Sequence, residues 1–275
     1  MLNKTFTLLA LILLSIIFLA TCDITPPPKN KKKAVFIFCD VTGSLIKEES
    51  EQVAKLTADI LDRLEPEAVF KLLPIHMKTD AAEAIMETNN TIQSGGKVPD
   101  YLKTDRRNKI SEQITTLYQT VNAPEQKPER TCLLSGLDRA REFFVNLKND
   151  EYDYELVFIS DMIEHCQNTP AGKGVVVSIK DQKPEDALNS ISKATFPDLS
   201  NARITVIVPG KDETISKGTI KPNKQTLFAF WSKVFDKCKN KVTMDDWFTA
   251  KEPDRIFEPQ QTKQVSASRE TISQN

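Results

Sequence analysis

Asp40, Thr42 and Ser44 alternate along the stretch Cys39-Asp-Val-Thr-Gly-Ser-Leu45, which puts one carboxylate and two hydroxyls on a single short turn. All three are hard oxygen donors, and such donors suit Mg²⁺ or Mn²⁺ better than Zn²⁺. Two further oxygen donors stand at telling places downstream: Thr131, heading T-C-L-L-S-G-L-D-R-A, and Asp161, closing V-F-I-S-D. The chemistry on offer is the coordination of a divalent cation. His76 and His165 with Cys132 or Cys166 follow no zinc-ligand spacing.

These residues need elements to bring them together. Residues 34–39 are apolar and β-prone, and they run straight into Asp40 with a helix beginning near Glu48, as in a buried parallel strand that turns into a helix. Val53, Leu56, Ile60, Leu61 and Leu64 recur at helical spacing, which predicts an amphipathic helix over 48–65, stopped by Pro66. A strand is expected over 68–75, a short edge strand over 84–91 and a helix over 104–121. Thr131 reads as the capping hydroxyl of the next helix, whose inner stripe is Leu133, Leu137, Ala140, Phe144 and Leu147. Residues 154–160 read as a strand ended by Asp161. A long polar connection then covers 162–184, with a short strand at 175–179. A helix over 185–195, a strand over 202–208 and a helix over 222–239 complete the pattern, the last with Leu227, Phe230, Trp231, Val234 and Cys238 turned inward.

Strands alternating with helices predict a doubly wound, mostly parallel α/β sheet with helices on both faces. Every parallel strand then ends at one edge, so Asp40, Thr42, Ser44, Thr131 and Asp161 converge where open α/β sheets bind ligands.

With 275 residues, 40% apolar and 27% charged, the chain can bury one full core. The 37 basic side chains are nearly matched by 38 acidic ones, which gives no reason to expect nucleic acid as a partner. Neither a G-x-x-x-x-G-K-[ST] nor a G-x-G-x-x-G pattern occurs. Residues 1–21 form an apolar targeting segment, and Leu19-Ala20-Thr21-Cys22 resembles a bacterial lipoprotein lipobox. That resemblance implies an acylated Cys22, a membrane-tethered protein and a domain outside the cytoplasm, in the cell envelope. Residues 22–33, rich in proline and lysine, would be a tether reaching at most about 40 Å. A domain over 34–245 and a polar, unpatterned tail over 246–275 follow.

The three site segments resemble the von Willebrand factor A (VWA) domain and its metal-ion-dependent adhesion site. The family places D-x-S/T-x-S at the end of the first strand, a Thr opening a later helix and an Asp ending the following strand. Here these roles fall on Asp40, Thr42 and Ser44, on Thr131 and on Asp161. The resemblance implies a bound Mg²⁺ or Mn²⁺ with one coordination position left for an acidic residue of a partner protein, and no catalysis. Met162 stands where the family commonly has glycine. The same first segment also looks like the D-x-[DT]-G-T-L signature of haloacid-dehalogenase-type phosphohydrolases, in which Asp40 would be the nucleophile and Mg²⁺ the cofactor. A helix starting so soon after Ser44, and a single acid at the later strand end, count against that reading.

Of the cysteines other than Cys22, four spread through a domain of this size are no disulfide framework. The pair brought nearest by the expected topology is Cys132 and Cys166.

Overall fold

The computed structural model describes residues 31–43, 45–64, 67–76, 78–88, 99–123, 131–147, 150–169, 172–179, 182–209 and 223–249. By its internal contacts the chain divides between Lys31 and Lys32. Residues 1–30, on which the expected signal segment, Cys22 and most of the expected tether fall, lie outside the described residues, as do Ser44 and all beyond residue 249.

The unit that begins at Lys32 is built on a sheet of six strands: β1 (Lys32–Asp40), β2 (Val69–Ile75), β3 (Met86–Glu87), β4 (Tyr152–Ile159), β7 (Ala202–Val208) and β8 (Trp247–Thr249). Their spatial order is β3-β2-β1-β4-β7-β8, parallel throughout except for the antiparallel β3. A separate antiparallel hairpin pairs β5 (His165–Thr169) with β6 (Gly172–Ser178). The helices are α1 (Lys47–Arg63), α2 (Asp100–Val121), α3 (Leu137–Val145), α4 (Pro184–Ser190) and α5 (Lys224–Lys237).

Strand alternation divides the core in two. Phe36, Phe38, Leu156, Phe158, Ile204 and Val206 face one way and pack with residues of α3, α4 and α5, among them Leu137, Phe144, Phe230 and Trp231. Val35, Ile37, Cys39, Leu72, Val157 and Ile159 face the other way, onto Val53, Ile60 and Leu61 of α1 and Ile110 and Ile114 of α2. The sheet is therefore covered on both faces, which is why its central strands are almost continuously apolar. Ion pairs bind α2 to α1 as well: Arg106 meets Asp62 at 2.9 Å and Arg107 meets Asp59 at 2.9 Å.

This is the expected doubly wound α/β architecture, with three local departures. The helix anticipated from Thr131 begins later, as a 3₁₀ turn over Leu134–Gly136 followed by α3. The connection after Asp161 holds the β5–β6 hairpin; only its second strand carries the apolar run Val175 to Val177 that alternation can detect. Strand β8 lies past residue 245, where the sequence reading ends the domain, and extends the sheet to Thr249. Three residues are too few to show a period. Among the described residues no helix is long and apolar enough to cross a membrane.

Candidate functional site at the carboxyl edge of the sheet

Strand β1 ends at Asp40 between Ile75 of β2 and the end of β4, where Cys39 is in register with Ile159. Asp40 is wholly buried, as are Thr42 and Ser160; Thr131 and Asp161 are each 3% exposed. One Asp40 oxygen, Oδ1, accepts from the Thr42 amide at 2.9 Å and from the Thr42 hydroxyl at 2.6 Å. The other, Oδ2, accepts from the Ser160 hydroxyl at 2.7 Å. The Thr42 hydroxyl also lies 3.0 Å from that of Thr131. Of the five residues anticipated at the edge, Asp40, Thr42, Thr131 and Asp161 lie there together, and Ser44 is outside the described residues.

Burial, and then the nearby charge of Asp161, push the Asp40 carboxyl up to about 7, against the hydrogen bonds from Thr42 and Ser160 that pull it down. Two acids share one buried corner, and none of the groups acting most strongly on Asp40 is a cation.

The turns that deliver these side chains are held from outside. Gly43 lies so near α2 that an added Cβ would sit 2.7 Å from Asn122 Oδ1. Tyr118, near the end of the same helix, donates its hydroxyl to the Leu45 carbonyl at 3.2 Å. After β4, Met162 takes φ 59°, the left-handed backbone region that glycine enters freely. Its amide donates to Ser160 Oγ at 2.9 Å, and its carbonyl accepts from Trp231 Nε1 at 2.8 Å. The Ile163 amide donates to Asp161 Oδ1 at 3.1 Å.

The Thr131 turn differs most from expectation. Thr131 does not cap the helix. That task falls to Glu164, whose Oε2 accepts from the amides of Leu133 at 2.8 Å and Leu134 at 3.2 Å. Glu164 is fully buried, and burial pushes its carboxyl up to about 8, partly offset by the amides of Leu134 and Leu133. The amide of His165 donates to the Thr131 carbonyl at 2.9 Å. Cys132 and Cys166 form a disulfide with their Cα atoms 4.9 Å apart. Zinc therefore has no thiolate here, while Cys39 and Cys238 are free and buried.

Sequence reasoning missed Ser160 and Glu164. The signal for Ser160 was its place beside Asp161 at a strand end adjoining β1. Glu164 lay in a polar stretch with nothing in its spacing to mark it.

Among the described residues no cluster of three or more His, Cys, Asp or Glu side chains is placed to hold a metal ion. A cation at this edge would therefore rest on hydroxyl oxygens together with carboxylates. The donor set fits that demand. Two hydroxyl oxygens 3.0 Å apart have the spacing of adjacent ligands around an octahedral ion whose bonds are about 2.1 Å long.

No family model and no curated protein matches the chain. Among solved structures, the chain is similar to the manganese-loaded TRAP protein of Plasmodium vivax, with 13% identity and a TM-score of 0.43 over 84% of this chain and 73% of that one. It is also similar to the SpRpn10 VWA domain, with 13% identity and a TM-score of 0.36 over 79% of this chain and 86% of that one. A third likeness is to a von Willebrand factor type A protein from Catenulispora acidiphila, with 15% identity and a TM-score of 0.40 over 82% of this chain and 40% of that one.

Proposed function

We propose that this protein is a VWA-like interaction module that captures an acidic residue of a partner protein through a divalent cation, Mg²⁺ or Mn²⁺, at the carboxyl edge of its sheet. The observation that carries the reading is the meeting of the Thr42 and Thr131 hydroxyls at 3.0 Å beside the buried carboxyl of Asp40. Thr42, Ser44 and Thr131 would hold the ion, with Asp40 and Asp161 supplying the negative charge that balances it. A bound ion supplies a Lewis-acidic coordination site for a carboxylate. Asp40 takes hydrogen bonds from the Thr42 amide and the Ser160 hydroxyl, which fixes the carboxylate for ligand or water, and Ser160 is in turn oriented by the Met162 amide.

The phosphohydrolase reading fits less well. The helix α1 starts at Lys47, three residues after Ser44, which leaves little room for the flap that such enzymes place there, and Asp161 is the single acid at the later strand end. We place the module in the cell envelope, held to a membrane through acylated Cys22, on the strength of the apolar leader and the Leu19-Ala20-Thr21-Cys22 sequence alone.

The test is a pull-down from membranes in Mg²⁺ and in chelator, with wild type and Asp40→Ala, beside a phosphatase assay in Mg²⁺. Capture that needs both the ion and Asp40 is expected. Metal-independent capture sinks the reading, and turnover of a phosphate ester that depends on Asp40 transfers the case to the hydrolase.

A further inference from the structure

The geometry points to Glu164 as the positioning residue of this site: by capping the Thr131 turn in place of Thr131 itself, it frees the Thr131 hydroxyl to face Thr42. The inference rests on the cation reading above. A threonine just ahead of a helical turn ordinarily accepts from the amides two and three residues on, here Leu133 and Leu134. Both amides are already taken by Glu164 Oε2, at 2.8 and 3.2 Å, so the Thr131 hydroxyl is left to meet Thr42 at 3.0 Å.

Three ties between the same two segments act together. Glu164 Oε2 holds the amides of residues 133 and 134, the His165 amide holds the Thr131 carbonyl, and the Cys132–Cys166 disulfide joins the neighbours covalently. Glu164 is the unfavourable member of the set. Its Oε1 is buried and meets no hydrogen-bond partner among the described residues, a placement that costs free energy. As a simple stabiliser of the turn it would be a poor choice. As the group that keeps Thr131 from turning back onto its own helix, it has a specific task.

Mn²⁺ binding to the full chain, read by loss of the free-ion resonance signal, separates the possibilities. Glu164→Met keeps the length and removes the acceptor, so affinity should fall about tenfold or more, the range seen when groups that orient metal ligands are lost. Glu164→Gln keeps an acceptor oxygen and should lose clearly less than that roughly tenfold. In a Thr131→Val background, Glu164→Met should cost little further affinity, because its effect passes through that hydroxyl.

Wild-type affinity in Glu164→Met, or a full additional loss in the Thr131→Val background, overturns the inference while leaving the cation site standing. If Glu164→Met does not fold, Glu164→Asp decides: the carboxyl group is kept, the reach is one methylene shorter, and wild-type affinity overturns the inference. If wild type itself binds no Mn²⁺, the cation reading fails and the inference with it.

Discussion

The hydroxyl of Thr42 lies 3.0 Å from the hydroxyl of Thr131, a residue 89 positions further along the chain. Neither needs the other for local structure. The Thr42 hydroxyl already donates to Asp40 at 2.6 Å, so this oxygen is left as an acceptor toward Thr131 or an added cation. Sheet topology brings β1 and the segment before α3 to the same carboxyl edge, and the ties from Glu164, His165 and Cys166 set the Thr131 turn there.

A cation bound there should stabilise the folded state, since the unfolded chain has no such site. At an ion concentration about a hundred times Kd the gain is about 2.7 kcal/mol. For a domain of this size that is roughly 5 to 10 °C in Tm. Thermal melts with Mg²⁺ or Mn²⁺ and with chelator should show that difference in wild type. Asp40→Ala should melt at one temperature under all conditions; an ion-dependent shift that survives in this variant refutes the assignment.

The effect of pH has a definite sign. Asp40 and Glu164 have folded-state values of about 7 and about 8, above ordinary carboxylates, with burial the first cause in each. Between pH about 4 and about 8 the ion-free folded protein therefore holds more protons than the unfolded chain, and its stability falls as pH rises through that window. Ion binding runs the other way, because protons compete for the Asp40 carboxylate. Mn²⁺ affinity should weaken as pH drops below about 7, and saturating ion should flatten the decline in Tm at higher pH. A pH-independent Mn²⁺ affinity across this window contradicts a role for Asp40.

Met162 sets two opposing magnitudes against each other. Its left-handed backbone, φ 59°, would be relieved by glycine, a gain of about 1 kcal/mol. Its side chain, however, has no exposed surface, and removing a buried methionine costs roughly 2 to 5 kcal/mol. Packing should win. Met162→Gly is expected to lower stability by roughly 1 to 4 kcal/mol in chemical denaturation, and a more stable variant would show that strain dominates.

The central sheet, and the meeting of Asp40, Thr42, Thr131 and Asp161 at its edge, were legible because their signals are local and strong. Apolar runs such as the one ending at Asp40 announce buried strands, and a parallel sheet then dictates where all their ends lie. Features built by tertiary contact were not legible. A hydroxyl before a helix reads as a cap, and only the approach of Glu164 from 30 and 31 residues away removes the need for one. The β5–β6 hairpin escaped for a related reason. Its first strand, His-Cys-Gln-Asn-Thr, has no apolar alternation and owes its form to pairing with β6.

The Cys132–Cys166 bridge gives a direct count. Denatured without reductant, the chain should expose the thiols of Cys39 and Cys238, and of Cys22 only if that residue carries no lipid. Two thiols per chain fit an acylated protein, three an unmodified one, and four or more would mean the bridge does not form. Closing a loop of 34 residues stabilises the fold by roughly 3 to 4 kcal/mol in the chain-entropy model, so reduction should lower the denaturation midpoint.

If the cation edge captures a partner, selectivity has to lie beside it. A cation offers the same anchor to any carboxylate, so discrimination must come from the surface around it, and the β5–β6 hairpin is tied directly to the Thr131 turn. Replacing residues 164–172 by a flexible loop cannot test this, because it also removes Glu164 and Cys166 and disturbs the Thr131 turn. A shorter replacement, residues 168–173, spares both ties. It should leave Mn²⁺ affinity well short of the roughly tenfold loss seen when a group orienting a ligand is removed, while abolishing capture of the membrane partner. If capture persists and still disappears in Asp40→Ala, the cation edge binds but the hairpin does not choose. Residues 122–130, which join α2 to the Thr131 turn and mostly lie outside the described residues, would then be the segment to exchange next.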